Sequence, residues 1–222
     1  MARQVGKLMK IAGRTAIFAA AFCILVAAAG FCYYFIYDGG SSGHFAFAVE
    51  LRMLAYDAAD MAPGLKRPFI FQDADAREFI DTGEAPDGWK WVPVADFAQS
   101  RLSISRPISR TSNGQVFVLA ADNGDLAVVL MHPVSVKLDT SSGDSPVPIL
   151  KIRIGSGDTD VLSKFREVHG DDEVAIVIGS RICGDTSTSN PDLDRGVIAI
   201  WFPDGGEDAA KHLRDTLLSK KL

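Results

Sequence analysis

Side chains able to do covalent or acid–base chemistry are few in this sequence, so their spacing carries the argument. Acyl transfer needs a serine or cysteine held against a base, an arrangement that many hydrolases announce with a G-x-S-x-G turn. No such turn occurs; Ser156 stands between Gly155 and Gly157, a turn-like setting without that spacing. The histidines His44, His132, His169 and His212 are scattered over separate segments. His132 precedes Pro133 at the end of a β-prone run, and His169 falls at the end of a helical pattern, where the helix dipole favours a cation. All four read as surface or capping residues. Cys183 follows Gly179, Ser180, Arg181 and Ile182 and precedes Gly184, a stretch that reads as a turn after an apolar strand. The nearby arginine could lower its pKa, but an isolated thiol is by default a small buried apolar group.

Asn190, Asp192 and Asp194 alternate oxygen donors as calcium loops do. Gly196 then arrives at the seventh position instead of the sixth, and Trp201 takes the twelfth place, where a bidentate glutamate belongs. Asp171, Asp172 and Glu173 are adjacent and point in different directions, as in a solvated turn. With no Cys-x-x-Cys pair, phosphate loop, dinucleotide fingerprint or haem motif, the sequence calls for no metal and no cofactor, and no small-molecule ligand is identifiable. What remains is a binding surface. Trp89 and Trp91, at i and i+2, would share one side of a strand, able to stack on a sugar ring or a partner, although such a pair is more often buried under a long loop. With Asp192 and Asp194 they are the candidate binding residues.

The elements that would position these residues follow from hydrophobic periodicity. Phe47, Leu51, Leu54 and Ala58 recur at helical spacing, so residues 44–60 read as a helix with its stripe in the core. Residues 69–71 read as a short strand, and Asp73 or Asp75 can cap a helix that ends at Gly83. Residues 84–107, punctuated by Pro86, Pro93 and Pro107, read as irregular. Two β-prone runs flank Asn123 and Gly124 within 115–132, which predicts an antiparallel hairpin with a central place in a sheet. Strands follow at 134–138 and 147–154. Asp158 then caps a helix to residue 168 with Val161, Leu162, Phe165 and Val168 on one side. A strand at 174–178, a polar loop at 180–196, a strand at 197–202 and a helix at 206–220 complete the chain. About six strands and about four helices in this order give an α+β class with a mixed, largely antiparallel sheet, in one domain over 44–222.

Ahead of that domain, residues 15–37 contain no charged side chain. As a helix they would span about 34 Å, enough for a hydrocarbon core of about 30 Å. Arg3, Lys7, Lys10 and Arg14 in the tail 1–14 precede this run and Asp38 follows it, which orients a single transmembrane helix with its N-terminus cytoplasmic. Tyr33, Tyr34 and Tyr37 would sit at the outer interface. A cleaved signal peptide is the rival, since Ala27, Ala28 and Ala29 offer a cleavage pattern, but cleavage there would leave a strongly apolar mature terminus. Residues 38–43, with three glycines and two serines, read as a flexible linker. The net charge is −5, and without the four basic residues of the tail the remainder stands at −9, so nucleic acid is excluded as a partner by repulsion. Cys183 is the one cysteine outside the apolar run, so the domain has no internal disulfide to depend on. The expectation is a bacterial inner-membrane protein with a periplasmic domain. It is a non-catalytic accessory or scaffold subunit that binds membrane or periplasmic proteins; the alternative is a membrane-tethered periplasmic hydrolase or glycan-binding protein.

Overall fold

The computed structural model describes residues 41–42, 45–60, 69–100, 102, 106–122, 124–142, 146–203 and 206–220. The basic tail and the apolar segment 15–37 lie outside the described residues. Among those described, no helix is long and apolar enough to cross a membrane. Residues 40–222 form one unit.

In chain order the strands are β1 (Ser41–Ser42), β2 (Val49–Met53), β3 (Tyr56–Asp57), β4 (Ile70–Phe71), β5 (Trp89–Pro93), β6 (Ser109–Ser112) and β7 (Gln115–Ala121). They continue with β8 (Ala127–Leu130), β9 (Pro133–Thr140), β10 (Pro148–Ile154), β11 (Glu173–Ile178), β12 (Arg181–Ser187) and β13 (Val197–Trp201). The helices are α1 (Asp73–Thr82), α2 (Ser156–His169), α3 (Pro191–Asp194) and α4 (Glu207–Leu218). The class is α+β, with four α-helices and thirteen strands among the described residues. Every pairing is antiparallel except the short β3–β4 pair.

Besides the two-stranded β3-β4 sheet, three larger sheets are built from these strands, in the orders β1-β9-β10-β13, β12-β11-β2-β8 and β5-β7-β6. The alternation of β11 shows how they stack. Val174, Ile176 and Ile178 enter a first core with Val136, Leu150, Ile152, Ile198 and Ile200 of the first sheet, closed by α2 and α4. Ala175 and Val177 enter a second core with Val92, Val118 and Ala120 of the third sheet. Leu119 points the other way, into a third core with Ala76 of α1. The middle sheet is thus covered on both faces, and each fully buried Leu or Ile in it stabilises the fold by about 1.5–3 kcal/mol.

That double covering explains the main departure from the sequence reading. Residues 45–60, read as part of a helix, form β2, β3 and a single 3₁₀ turn at Ala58–Asp60. Leu51 serves the first core and Leu54 the second, so residues that looked like one helical stripe face opposite ways. A strand buried on both sides is apolar almost throughout and can carry a helical spacing by coincidence.

The hairpin read around residues 123 and 124 is a second departure. β7 pairs with β5 and β6, whereas β8 pairs with β2 in another sheet. The tight turn is instead at Asn113 and Gly114, where φ is 52° and 76° and Ser112 faces Gln115. Both central residues have positive φ, as the hairpin turn that matches strand twist requires. Gly179 and Ser180, at φ of 60° and 67°, make the same kind of turn between β11 and β12. The polar stretch read as a loop over 180–196 therefore holds a seven-residue strand and α3. Ser41 and Ser42, read as flexible linker, pair with Ser135 and Val136 of β9. Of the α2 stripe, Leu162 and Phe165 are buried, but Val161 and Val168 face solvent.

Candidate functional site

β5 carries Trp89 and Trp91 within the stretch 84–107 that the prolines made look irregular. Both rings do share one side of the strand, and that side packs on the third core. Trp89 lies edge-on to Phe69 and Phe71, with ring centroids 5.5 and 5.6 Å apart. Trp91 lies beneath the guanidinium of Arg110, 5.6 Å from its ring centroid, and its buried Nε1 finds no hydrogen-bond partner among the described residues. Arg110 is itself confined, because Gly83, the left-handed cap of α1 at φ 75°, leaves only enough room for a hydrogen where the guanidinium passes. The tryptophans therefore fasten α1 to the third sheet and are half-buried, not presented as a platform.

Asp192 and Asp194 sit on α3, which Asn190 caps by accepting the Asp192 N–H at 3.0 Å. Asp194 pairs with Arg166 of α2, and the hydrogen bond from that guanidinium holds its carboxyl below the usual carboxylate range. Asp194 thus joins α3 to α2. Among the described residues no hydrogen bond, ion pair or ring contact links either acid to the tryptophans, and no group of three or more His, Cys, Asp or Glu side chains could hold a metal ion. The four candidate residues do not converge.

Cys183 is corrected from a turn to a strand. It lies buried in β12 within the first core, its Sγ 3.6 Å from the Arg181 carbonyl. Burial pushes its thiol up to about 11, outweighing a backbone hydrogen bond at Ile178 and the Arg181 charge, which act to lower it. A thiol in that state is inert.

One pairing escaped the sequence. Asp158 is not the cap of α2; Gly155 holds that position, and Asp158 lies a turn inside, buried. Its Oδ2 accepts the His132 backbone N–H at 2.6 Å, and its Oδ1 lies 3.0 Å from His132 Nδ1. Gly155 completes the lock by donating its N–H to the His132 carbonyl at 2.7 Å. A carboxylate only accepts, so this places the proton on Nδ1 and turns Nε2 outward from a side chain that is 62% exposed. The residues are 26 positions apart, and only β8 and α2 packing together brings them into contact. His169 is the opposite case, buried with Nε2 2.6 Å from the Asp125 carbonyl, tying the end of α2 to the turn before β8. His212 is exposed on α4, and His44 lies outside the described residues.

A buried arginine organises the rim between the second and third sheets. Arg52 Nη1 donates to the carbonyls of Ala121 and Asp122 while its Nε meets Glu50 Oε2 at 2.6 Å. Lys90 Nζ lies 2.8 Å from Asp122 Oδ1, and that hydrogen bond is the largest cause holding the Asp122 carboxyl below its ordinary value. The chain of charges binds β2 to the end of β7 and to β5. It serves the fold.

Two recesses open among the described residues. The smaller, about 180 Å³, opens beside Lys90, Glu50 and Ser180. The larger, about 430 Å³, runs between β6 and the helical turn at Asp96–Ala98, over a floor of Val94, Leu102, Pro107, Val116 and Val118. Gln99, Arg106, Ser109 and Thr111 form its rim. Comparison of the chain with protein-family models, with curated proteins and with solved structures finds no match.

Proposed function

We propose that this protein is a non-catalytic, membrane-anchored accessory or scaffold subunit of a cell-envelope complex. In this reading residues 15–37 cross the inner membrane with the basic tail in the cytoplasm, and the domain binds other proteins in the periplasm. The observation that carries the reading is where apolar surface meets water. Val129, Met131, Val161 and Val168 are 45, 56, 47 and 71% exposed, four of the five large apolar side chains that stand most open among the described residues. All four belong to β8, the residue after it, or α2, which packs on β8. Single exposed apolar residues are ordinary, but Val161 and Val168, seven positions apart and so on one stripe of α2, favour a protein contact beside β8. β8 is also the last strand of its sheet, with an edge that no other strand pairs among the described residues.

A hydrolase reading draws on His132, whose ring Asp158 orients from a buried position. It is the weaker reading, because neither of the two recesses is lined by His132 or Ser156 and Cys183 is buried.

The deciding experiment is purification of the full-length protein from its native membranes in mild detergent, with co-purifying proteins identified by mass spectrometry. Partners in stoichiometric amount are expected, and their recovery should drop when Val161 and Val168 are both changed to serine. A protein that emerges alone would end the subunit reading and direct attention to His132.

A further inference from the structure

The first sheet turns two different sides to its surroundings. Val136, Ile152 and Ile198 point into the first core, so the alternate residues of β9, β10 and β13 face away from it. On that outer side Lys137 stands directly opposite Lys151, with Arg153 at the next outward position of β10 and Trp201 on β13. Arg153 is exposed and the other three are half-exposed. Like charges set opposite each other weaken a sheet, so cations crowded on one side call for an anion. Asp139 is the one acid at the outward positions of these strands, and Lys151 Nζ already holds it at 2.8 Å. Cations thus outnumber acids on this side, in a chain whose residues after the basic tail sum to −9. Lys137, Arg153 and Trp201 make other contacts as well. A paired cation still has hydrogens to give, because ammonium and guanidinium groups carry several donors each.

The place of this face in the chain says which anion lies near. β1 is the edge of the same sheet, its Ser41 and Ser42 paired with Val136 and Ser135 of β9, the strand that carries Lys137. At up to about 3.6 Å per residue, the chain from Tyr37 to Ser41 reaches no more than about 14 Å. Lys137 lies one strand in from that edge, and Lys151 and Arg153 lie two, at about 4.8 Å per strand. With residues 15–37 in a bilayer, these cations cannot leave the neighbourhood of its headgroups.

We infer that the outer face of the first sheet lies against the anionic phospholipid headgroups of the membrane that holds residues 15–37. The inference rests on the membrane-anchored reading and adds a second contact to it. Lys137, Lys151 and Arg153 donate to lipid phosphates, and Trp201, an apolar ring with one polar end, suits the headgroup level. Each cation near a charged surface is worth about a fivefold gain in binding. That is modest for a free domain but sufficient for one that an anchor keeps at high local concentration. An acidic protein segment would meet the same cations, yet it has no such tether. The contact also orients the domain. Val128 and Leu130 of β8 enter the first core, so Val129 between them points to the opposite side of the second sheet. With the first sheet on lipid, Val129 is turned away from the bilayer, toward the partners of the subunit reading.

The test places the full-length protein in nanodiscs of phosphatidylcholine, with or without phosphatidylglycerol, each holding a trace of headgroup spin-labelled lipid as a quencher. The signal of Trp201 is the difference in fluorescence between wild type and Trp201→Phe. Strong quenching of that signal is expected in the anionic discs and weak quenching in the neutral ones, and high salt should release it. Lys137→Gln with Arg153→Gln keeps the Lys151–Asp139 pair and should lower the ratio of lipid-bound to free face about 30-fold. Lys137→Arg with Arg153→Lys should preserve it. The inference is overturned if Trp201 is unquenched in anionic discs, if neutral discs quench it equally, or if the glutamine pair changes nothing. Should the glutamine pair lower the thermal midpoint, the wild type decides, since quenching that persists in high salt also overturns the inference. The anchor fails separately. A protein that stays out of the discs sinks anchor and face together, whereas one that enters them with Trp201 unquenched sinks the face alone.

Discussion

At the scale of single residues, burial decides what each reactive group can do. Cys183 shows it most directly, because the first core pushes its thiol from an ordinary 9.0 to about 11. Alkylation with iodoacetamide at pH 8, read by mass mapping of the Cys183 peptide, should leave the native protein unmodified and label it fully in guanidinium chloride. Equal labelling rates in the two states would contradict the buried placement. The sign of the linkage follows from the same shift. Between about 9 and 11 the folded thiol keeps a proton that the unfolded one releases, so this group makes stability fall as pH rises through that window. Asp158 illustrates the other use of burial, fixing one tautomer of His132 through two hydrogen bonds that neither residue's sequence neighbours foretell.

Individual elements form where turn chemistry and core contacts agree. The β6–β7 hairpin depends on the positive φ angles of Asn113 and Gly114, and a Cβ added at Gly114 would meet nothing within 4 Å. Gly114→Val is therefore a purely backbone change, expected to cost about 1–2 kcal/mol in a urea titration. An unchanged midpoint would mean that the turn is not formed as described. At Gly196, φ is 66° and an added Cβ would also press on Ile154 Cγ1 at 3.2 Å, so the two kinds of glycine requirement coexist in one domain. α2 shows how an element can carry its fold and its surface together. Leu162 and Phe165 fill the first core while Val161 and Val168, on other faces of the same helix, stay in water.

For the whole molecule, the question is how a layered domain reaches its partners. If residues 15–37 anchor the chain, full-length protein should stay with the membrane pellet after alkaline carbonate washing. Protease added outside spheroplasts should then cleave the domain while sparing an epitope in the tail 1–14. A soluble product with a mass matching cleavage after Ala29 would instead establish the signal-peptide alternative. Since Ser41 already belongs to the first sheet, only residues 38–40 lie between that apolar run and the first strand.

Composition and local pattern were enough for the α+β class, for α1 with its Gly83 stop, for the body of α2 with its Gly170 stop, for α4, and for the cores of β9, β10, β11 and β13. Each of these has one buried side or a capping residue that speaks within a few positions. The sequence pattern pointed to Asn123 with Gly124 as the hairpin turn, although Asn113 and Gly114 are the same pair of residue types. Tertiary structure chose, because Val128 and Leu130 bury themselves in the first core beside β2 while β7 belongs to the third sheet. The same holds for the helix read into residues 44–60, which became strands once two cores claimed opposite faces. It holds also for the candidate site: Trp89 and Trp91 were visible as a pair, but whether their shared side met water or α1 was fixed by layers distant in sequence. Arg106, Ser109 and Thr111 became a rim only when β6 took the edge of its sheet. Pattern in a sequence reports which side of an element is apolar; what that side touches is set by the free energy of packing the whole chain.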